Sequence, residues 1–400
     1  MPSHWEIAWR EPVKAPALAT PNGDLRSRQL LGVGLGVGSS GFDIAGRHSW
    51  AAVARATTSG GKFEAGASYS FYGLGRPILS VATNQRYEGA GQLLGGDAPD
   101  QDTLLVLERK RDVSGSITFP VSKWRYNLAL TLGGGLVWEH RELWTTALRE
   151  STNYSLTKPT GRLTNARVTL NFNSSRTHAL QMGTARGVNL FLQGRVKNEM
   201  QLPDSLKAVE GMDRSLGEVV GRVRGAIPLW GGGYAAHVLA LQASGGIASG
   251  PGAGPFQYRL GGASGQLEQL TGLELFGGGF LLFPVRGYPP GSRFGRLAWS
   301  ATAEYRFPLW FINRGFRVWP LHADRMIGSL FFDAGNAWGP DLSASGFQNA
   351  LRDPLASLGA EITTEMLGLY RARVRLRVGV ALPLTGGGDA VGYVRVGLPF

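Results

Sequence analysis

The chain ends in the stretch Val391-Gly392-Tyr393-Val394-Arg395-Val396-Gly397-Leu398-Pro399-Phe400, which alternates in character. Its even positions are apolar, namely Val394, Val396, Leu398 and Phe400. Successive side chains on a strand point to opposite faces, so this segment presents one apolar and one hydrophilic face. A strand of about ten residues with this pattern fits a transmembrane β-barrel, in which one face meets lipid and the other a wet lumen. The last strand of a soluble sandwich would show the same alternation.

The period-two pattern recurs along the whole chain and predicts about fifteen strands. They lie near 28–38, 48–58, 63–72, 77–87, 103–119, 125–138, 163–173, 188–198, 217–228, 234–245, 296–307, 327–338, 356–366, 371–382 and 391–400. Single-chain bacterial barrels have even strand numbers, so we expect about sixteen strands, two of them merged within 103–119. The predicted fold class is therefore all-β. It is a transmembrane antiparallel β-barrel whose long extracellular loop 250–295 folds into the lumen.

The composition agrees with a spanning barrel. Glycine is abundant at 59 residues, charged residues make up 18%, and the mean hydropathy is −0.07. A barrel distributes its apolar residues by alternation, so a neutral average is expected, and no stretch reaches the roughly eighteen apolar residues of a transmembrane helix. The chain has no cysteine, which excludes a disulfide framework and a thiolate metal site.

The net charge of +12 raises the question of nucleic-acid binding. The basic residues are, however, mostly arginines interleaved with apolar residues, so we expect no nucleic-acid partner. The clearest case is an arginine ladder formed by Arg371, Arg373, Arg375 and Arg377. A charge on the lipid face at mid-bilayer costs about 2–4 kcal/mol, so the ladder should face the lumen. Glu361 and Glu365 on the preceding strand should oppose it. A charged edge strand of a soluble sheet is the alternative.

Enzymatic motifs are weak. Residues 36–41 fit GxGxxG in letters, but a turn and a strand follow instead of the helix and distant acid that dinucleotide binding needs. The six histidines form no HExxH, no GxSxG elbow is present, and no carboxylate dyad stands out. We expect no enzymatic activity, no cofactor and no metal.

The most specific signal lies between residues 284 and 338. The long loop closes with Pro284-Val285-Arg286-Gly287-Tyr288, a strand carrying Glu304 follows, and then comes an FxDxG element that contains Phe331 and Asp333. This order resembles the barrel of the bacterial surface antigen family, the outer-membrane assembly and translocation proteins typified by BamA and TamA. The resemblance is strongest over residues 250–400, and the terminal Phe400 also fits it.

The resemblance implies a loop-tip motif, formed by Val285, Arg286, Gly287 and Tyr288, that folds back into the lumen. There Arg286 would meet the lumen wall partners Glu304, Phe331 and Asp333. Strand parity agrees, because Glu304 and Asp333 lie opposite to their apolar neighbours. A guanidinium between two carboxylates can form bidentate hydrogen bonds that a lysine could not copy. An ordinary loop arginine is the alternative.

The sequence predicts two regions, an N-terminal flank over 1–25 and the barrel over 26–400. Residues 1–6 lack the basic and apolar regions of a secretory signal. We therefore expect either a misassigned start or the carboxy-terminal piece of a longer protein, with the flank a remnant of the upstream region. Residues 46–50 and 73–77 resemble family members that carry a TolB-like propeller before the barrel, although we expect neither a propeller nor a POTRA domain within residues 1–25.

The resemblance implies insertion or translocation of proteins at the bacterial outer membrane. The route would be a weak seam between the first and last strands, consistent with the Gly-rich stretch 28–38 and with Pro399, which cannot donate a ladder hydrogen bond. Expected partners are outer-membrane lipid, client outer-membrane or secreted proteins, and a periplasmic accessory domain or protein. The alternatives are a passive pore or structural barrel without assembly activity, and a translocator for one dedicated partner.

Overall fold

One antiparallel sheet of sixteen strands organises the computed structural model of the protein. The structure describes residues 2–10, 34–57, 62–95, 102–144, 160–176, 184–200, 213–231, 236–253, 257–263, 266–269, 279–315, 321–339, 351–368, 372–386 and 388–397. The strands of the sheet are β1 (Pro2–Arg10), β2 (Gly34–Phe42), β3 (His48–Thr57), β4 (Phe63–Phe71), β5 (Ile78–Gly95), β6 (Asp102–Lys123), β7 (Tyr126–Trp144), β8 (Thr160–Asn173), β9 (Gly187–Glu199), β10 (Leu216–Trp230), β11 (His237–Ser249), β16 (Leu297–Gly315), β17 (Leu321–Trp338), β18 (Leu355–Gly368), β19 (Ala372–Pro383) and β20 (Val391–Gly397). Four short strands lie between β11 and β16, namely β12 (Tyr258–Leu260), β13 (Gln266–Gln269), β14 (Gly279–Leu282) and β15 (Arg293–Gly295).

The two faces of the sheet are inverted relative to a soluble protein. On β18 the apolar side chains of Leu358 and Ile362 are 44% and 45% exposed, whereas Glu361 between them is only 2% exposed. On β17 Asp333 is fully buried while Phe332 is 46% exposed. An apolar outer face around a polar inner face is the arrangement of a barrel in lipid. No helix in the described part of the chain is long and apolar enough to cross a membrane.

The two ends of the sheet differ, and we call them the turn end and the loop end. At the turn end, Trp124 and Arg125 alone join β6 to β7. Aromatic side chains gather there, and histidines pair with some of them: Nδ1 of His48 lies 2.6 Å from the Tyr69 hydroxyl, and Nδ1 of His237 lies 2.7 Å from that of Tyr305. Such rings form the girdle that marks a bilayer interface.

At the loop end, the connection that carries β12–β15 folds into the lumen. Its apolar side chains Tyr258, Leu260 and Phe283 are fully buried. Two glycines of the wall make room for them. A Cβ on Gly246 would lie 2.9 Å from Cζ of Tyr258, and a Cβ on Gly335 would lie 2.9 Å from Cδ1 of Leu260. The predicted barrel with its loop in the lumen is therefore confirmed.

The sixteenth strand is not where the sequence placed it. The stretch 103–119 lies within the single strand β6, so the prediction of two merged strands is wrong. The additional strand is β1, which lies inside the predicted flank 1–25 and pairs with β2. Alternation of Trp5, Ile7 and Trp9 marks this strand in the sequence. A strand this short is stable only when paired, and no local pattern identifies its partner.

The Gly-rich segment is also not the edge of the sheet. Its described part, β2, pairs with β1 on one side and with β3 on the other. The first and last strands of the sheet are instead β1 and β20. Glycine content at 28–38 therefore says nothing about the seam, and Pro399 lies outside the described residues.

The face assignment predicts a labelling pattern on β19. Single cysteines at 375 and 377 should react with a small charged thiol reagent, because they would face the aqueous lumen, whereas cysteines at 378 and 380 should not. The chain has no native cysteine, so the background is clean. The labelling is measured in lipid vesicles. The reversed pattern would show that the assignment of residues to the lumen face and the lipid face is wrong by one position.

Candidate functional site

The loop tip enters the lumen through a tight turn. Val285 pairs with Gly262 across an isolated antiparallel bridge, and Val285 is fully buried. Gly287 then adopts a φ of 89°, a left-handed conformation that favours glycine. A Cβ at Gly287 would lie 3.1 Å from Cβ of Ala381 on β19, so glycine also permits the close approach of the tip to the wall.

Arg286 binds the wall through a bidentate ion pair. Its Nε donates to Oδ2 of Asp333 at 2.7 Å and its Nη2 donates to Oδ1 at 2.8 Å. The backbone N–H of Arg286 donates to the same carboxylate at 3.1 Å. The guanidinium also lies over the Phe331 ring, with Cζ 3.4 Å from the ring centroid. A charged fork stacked on an aromatic ring is a geometry that lysine cannot reproduce.

The remaining predicted partner, Glu304, contributes a longer ion pair. Its Oε2 lies 3.6 Å from Nη1 of Arg286, and its other oxygen accepts a hydrogen bond from Arg306 at 2.8 Å. Although burial by itself disfavours the guanidinium charge, the hydrogen bonds to Asp333 raise the pKa of Arg286 above its ordinary value. The tip therefore stays charged in its buried position.

A third carboxylate, Glu361 on β18, was not predicted as a partner of the tip. Its Oε2 lies 3.7 Å from Nη1 of Arg286 and accepts a hydrogen bond from the Tyr393 hydroxyl at 2.8 Å. Arg377 and Arg395 lie 3.5 and 3.4 Å from the same carboxylate. One buried carboxylate thus connects the loop tip to β19 and to the last strand, β20. The sequence placed Glu361 on the lumen face but could not indicate that it lies beside Arg286.

Tyr288 holds the other side of the tip. Its hydroxyl oxygen lies 2.8 Å from the carbonyl oxygen of Ala356 and 2.7 Å from that of Thr385, and it accepts a hydrogen bond from the Thr385 N–H at 3.2 Å. Ala356 is the second residue of β18 and Thr385 follows β19, so Tyr288 bridges two strands at the loop end. We call Arg286, Tyr288 and their wall partners the loop lock.

The arginine ladder is described in part. Arg375 pairs with Glu365 at 2.6 Å and Arg377 with Glu361 at 3.5 Å, as opposed charges on neighbouring strands. Arg371 and the side chain of Arg373 lie outside the described residues. Of the predicted carboxy-terminal strand signal, Val394 is 65% exposed on β20. The side chain of Val396, together with Leu398 and Phe400, lies outside the described residues.

The lock geometry predicts energetic coupling. Truncating one partner of a buried pair typically costs about 3–5 kcal/mol, so Arg286→Ala and Asp333→Ala should each lower the free energy of unfolding strongly. The double variant should cost less than the sum of the two, and Arg286→Lys should recover only part of the loss. Urea titrations in lipid vesicles measure these values.

Arg293 on the same loop and Asp353, in the connection between β17 and β18, supply a matched control. Their ion pair spans 3.3 Å, but the Asp353 side chain is 81% exposed. Exposed pairs contribute about 0–1 kcal/mol, so this second cycle should show little coupling. Equal coupling in the two cycles, or simple additivity at Arg286 and Asp333, would refute the lock.

The hollow at Gly246 predicts a steric test of loop docking. Gly246→Ala places a methyl group against the loop side chains of Tyr258 and Phe283, and overpacking of this kind costs about 1–3 kcal/mol. The loop should then be cleaved faster by added protease. Gly245→Ala is the control, since a Cβ there meets no atom within 4 Å. Equal cleavage of both variants would show that the loop does not depend on this hollow.

A known protein family matches the region of the chain that contains the loop lock. Residues 280–386, just over a quarter of the chain, match the Omp85 superfamily domain. This range contains the loop tip and the carboxylates Glu304, Asp333 and Glu361. No curated protein matches the chain significantly.

Solved structures match over nearly the whole chain. BamA from Haemophilus ducreyi lacking POTRA domains 1–3 aligns with a TM-score of 0.53 and 15% identity, covering 92% of this chain and 67% of that one. CdiB from Escherichia coli gives 0.52 and 12%, covering 92% and 60%, and CdiB from Acinetobacter baumannii gives 0.51 and 9%, covering 98% and 65%. The chain thus spans about two thirds of the length of these structures, or less. These matches confirm the predicted fold, a β-barrel like those of BamA and CdiB.

Proposed function

We propose that this Omp85-type barrel of the bacterial outer membrane takes part in inserting or translocating proteins there. The loop lock carries the proposal, because all of its wall strands lie within or directly beside the Omp85 domain. The barrel acts mechanically, without enzymatic chemistry. Clients are outer-membrane or secreted proteins, and a periplasmic accessory domain or protein delivers them. The resemblance to propeller-fused relatives stays a prediction.

The proposed route is the seam between β1 and β20. Both are terminal strands of the sheet order, and among the described residues β20 pairs with β19 over Val391–Gly397. An unpaired strand edge offers backbone donors and acceptors on which an incoming strand can form. The loop lock reaches β20 through Glu361 and thereby connects the lumen loop to one side of this seam.

A reconstituted folding assay tests the proposal. A urea-unfolded eight-stranded outer-membrane barrel is added to vesicles with and without the folded protein, and its folding is followed by the gel shift between unboiled and boiled samples. The protein should accelerate client folding at least severalfold. Ion conductance without any acceleration would instead support the passive pore. A cavity of about 1270 Å³, lined among others by Asn84, Asp112 and Glu139, favours that second function.

Cross-linking tests the seam itself. A disulfide between β1 and β20, found by pairing cysteines on Trp5, Ile7 or Trp9 with one on the lipid-facing Val394, should abolish the acceleration, and reductant should restore it. The control joins Val378 to Val394, which face each other across β19 and β20, and leaves the seam free. If the control blocks the activity as strongly as the β1–β20 cross-link, opening of this seam is not the mechanism.

A further inference from the structure

A cluster of cations lies at the turn end of β6–β9, far from the loop lock. Trp124, in the turn between β6 and β7, is 80% exposed. Two guanidinium groups flank its indole ring: Cζ of Arg125 lies 4.4 Å and Cζ of Arg176 lies 5.2 Å from the ring centroid. The backbone N–H of Arg176 donates to the carbonyl of Arg186 at 2.8 Å, which sets a third arginine opposite the second.

Within the described residues, these cations have no carboxylate partner. No ion pair there involves Lys123, Arg125, Arg176 or Arg186. Two arginines of the lumen show the contrast, since Arg86 pairs with Asp112 at 2.9 Å and Arg286 pairs with Asp333 at 2.7 Å. Like charges directly opposite each other on paired backbone are destabilising unless an anion neutralises them. The cluster therefore presents a site for an anion supplied from outside the chain.

The position of the cluster identifies the source of that anion. Tyr126 and Phe172 follow immediately on the lipid face, with ring centroids 5.8 Å apart. Rings of this kind lie at the boundary between hydrocarbon and headgroups, and strand residues rise about 3.4 Å each. The side chains of Trp124 and its arginines therefore reach the depth of the lipid phosphates. An exposed indole is suited to this interface, because one end of it is apolar and the other can be wet.

We propose that Trp124, Arg125, Arg176 and Arg186 form a binding site for the phosphate of an anionic phospholipid in the leaflet that faces the turn end. The planar fork of arginine matches phosphate oxygens bidentately, and both guanidinium groups lie within 5.2 Å of the Trp124 ring centroid. Lys123 adds charge at the edge. The site is independent of the seam and the loop lock, so it does not rest on the proposed function.

Lipid retention by the full folded chain tests the site. The detergent-solubilised barrel is titrated with phosphatidylglycerol or phosphatidylethanolamine, and bound lipids are counted by native mass spectrometry. The wild type should prefer phosphatidylglycerol. Because each cation near an anionic headgroup contributes roughly fivefold in affinity, Arg125→Gln with Arg176→Gln should lower phosphatidylglycerol binding by about twenty-fivefold.

The matched control removes the same charge from the same end. Arg47 and Arg76 are exposed in the neighbouring turns, and Arg47→Gln with Arg76→Gln should change binding by less than about twofold, since neither arginine flanks Trp124. The heat-dependent gel shift verifies that every variant is folded. Equal losses in both double variants would reduce the effect to diffuse surface charge and overturn the site. So would a wild type without preference between the two lipids, or one that binds a poly-glutamate peptide in preference to phosphatidylglycerol.

Discussion

The constraint behind this structure is that hydrocarbon offers no hydrogen bonds to a peptide backbone. A chain that spans it with strands must pair them laterally and must sort its side chains with a period of two. Leu358, Glu361 and Ile362 on β18 show the result, with apolar groups exposed and the carboxylate buried. Once charges are confined to the inner wall, they neutralise one another between neighbouring strands, as Arg375 and Glu365 do, or through a loop that enters the lumen.

The loop lock follows from that confinement. Three carboxylates, Glu304, Asp333 and Glu361, converge on the single guanidinium of Arg286. Two of them have further arginine partners, Arg306 for Glu304 and Arg377 with Arg395 for Glu361. The lock is therefore a network that spans β16 to β20 and the loop, and no single pair within it is isolated. A structural change at the loop tip therefore directly affects β20, the last strand of the sheet.

Much of the fold and of the loop lock was predictable from the sequence, and there is a physical reason why the other features were not. Alternation at Arg375–Val380 sets the lumen face, and the order of Arg286, Glu304 and Asp333 indicates which groups meet. The contact between Glu361 and the loop tip was not predicted, because it depends on the strand register that pairs Glu361 with Ser329. No local sequence pattern specifies that register. Strand β1 was not predicted, because its partner strand β2 follows only after a long connection. The cations around Trp124 come from separate turns that only the fold brings together.

Because the hollows at Gly246 and Gly335 accommodate side chains of the loop, the loop and the barrel wall can only change together. The rings of Tyr258 and Phe283 fit against Gly246 only because that position lacks a side chain, and Leu260 depends on Gly335 in the same way. A chimera that transplants this loop onto a barrel with larger wall residues would meet steric conflict, however well its arginine were matched. Exchange between related barrels should therefore succeed only when the donor loop and both receiving strands are moved together.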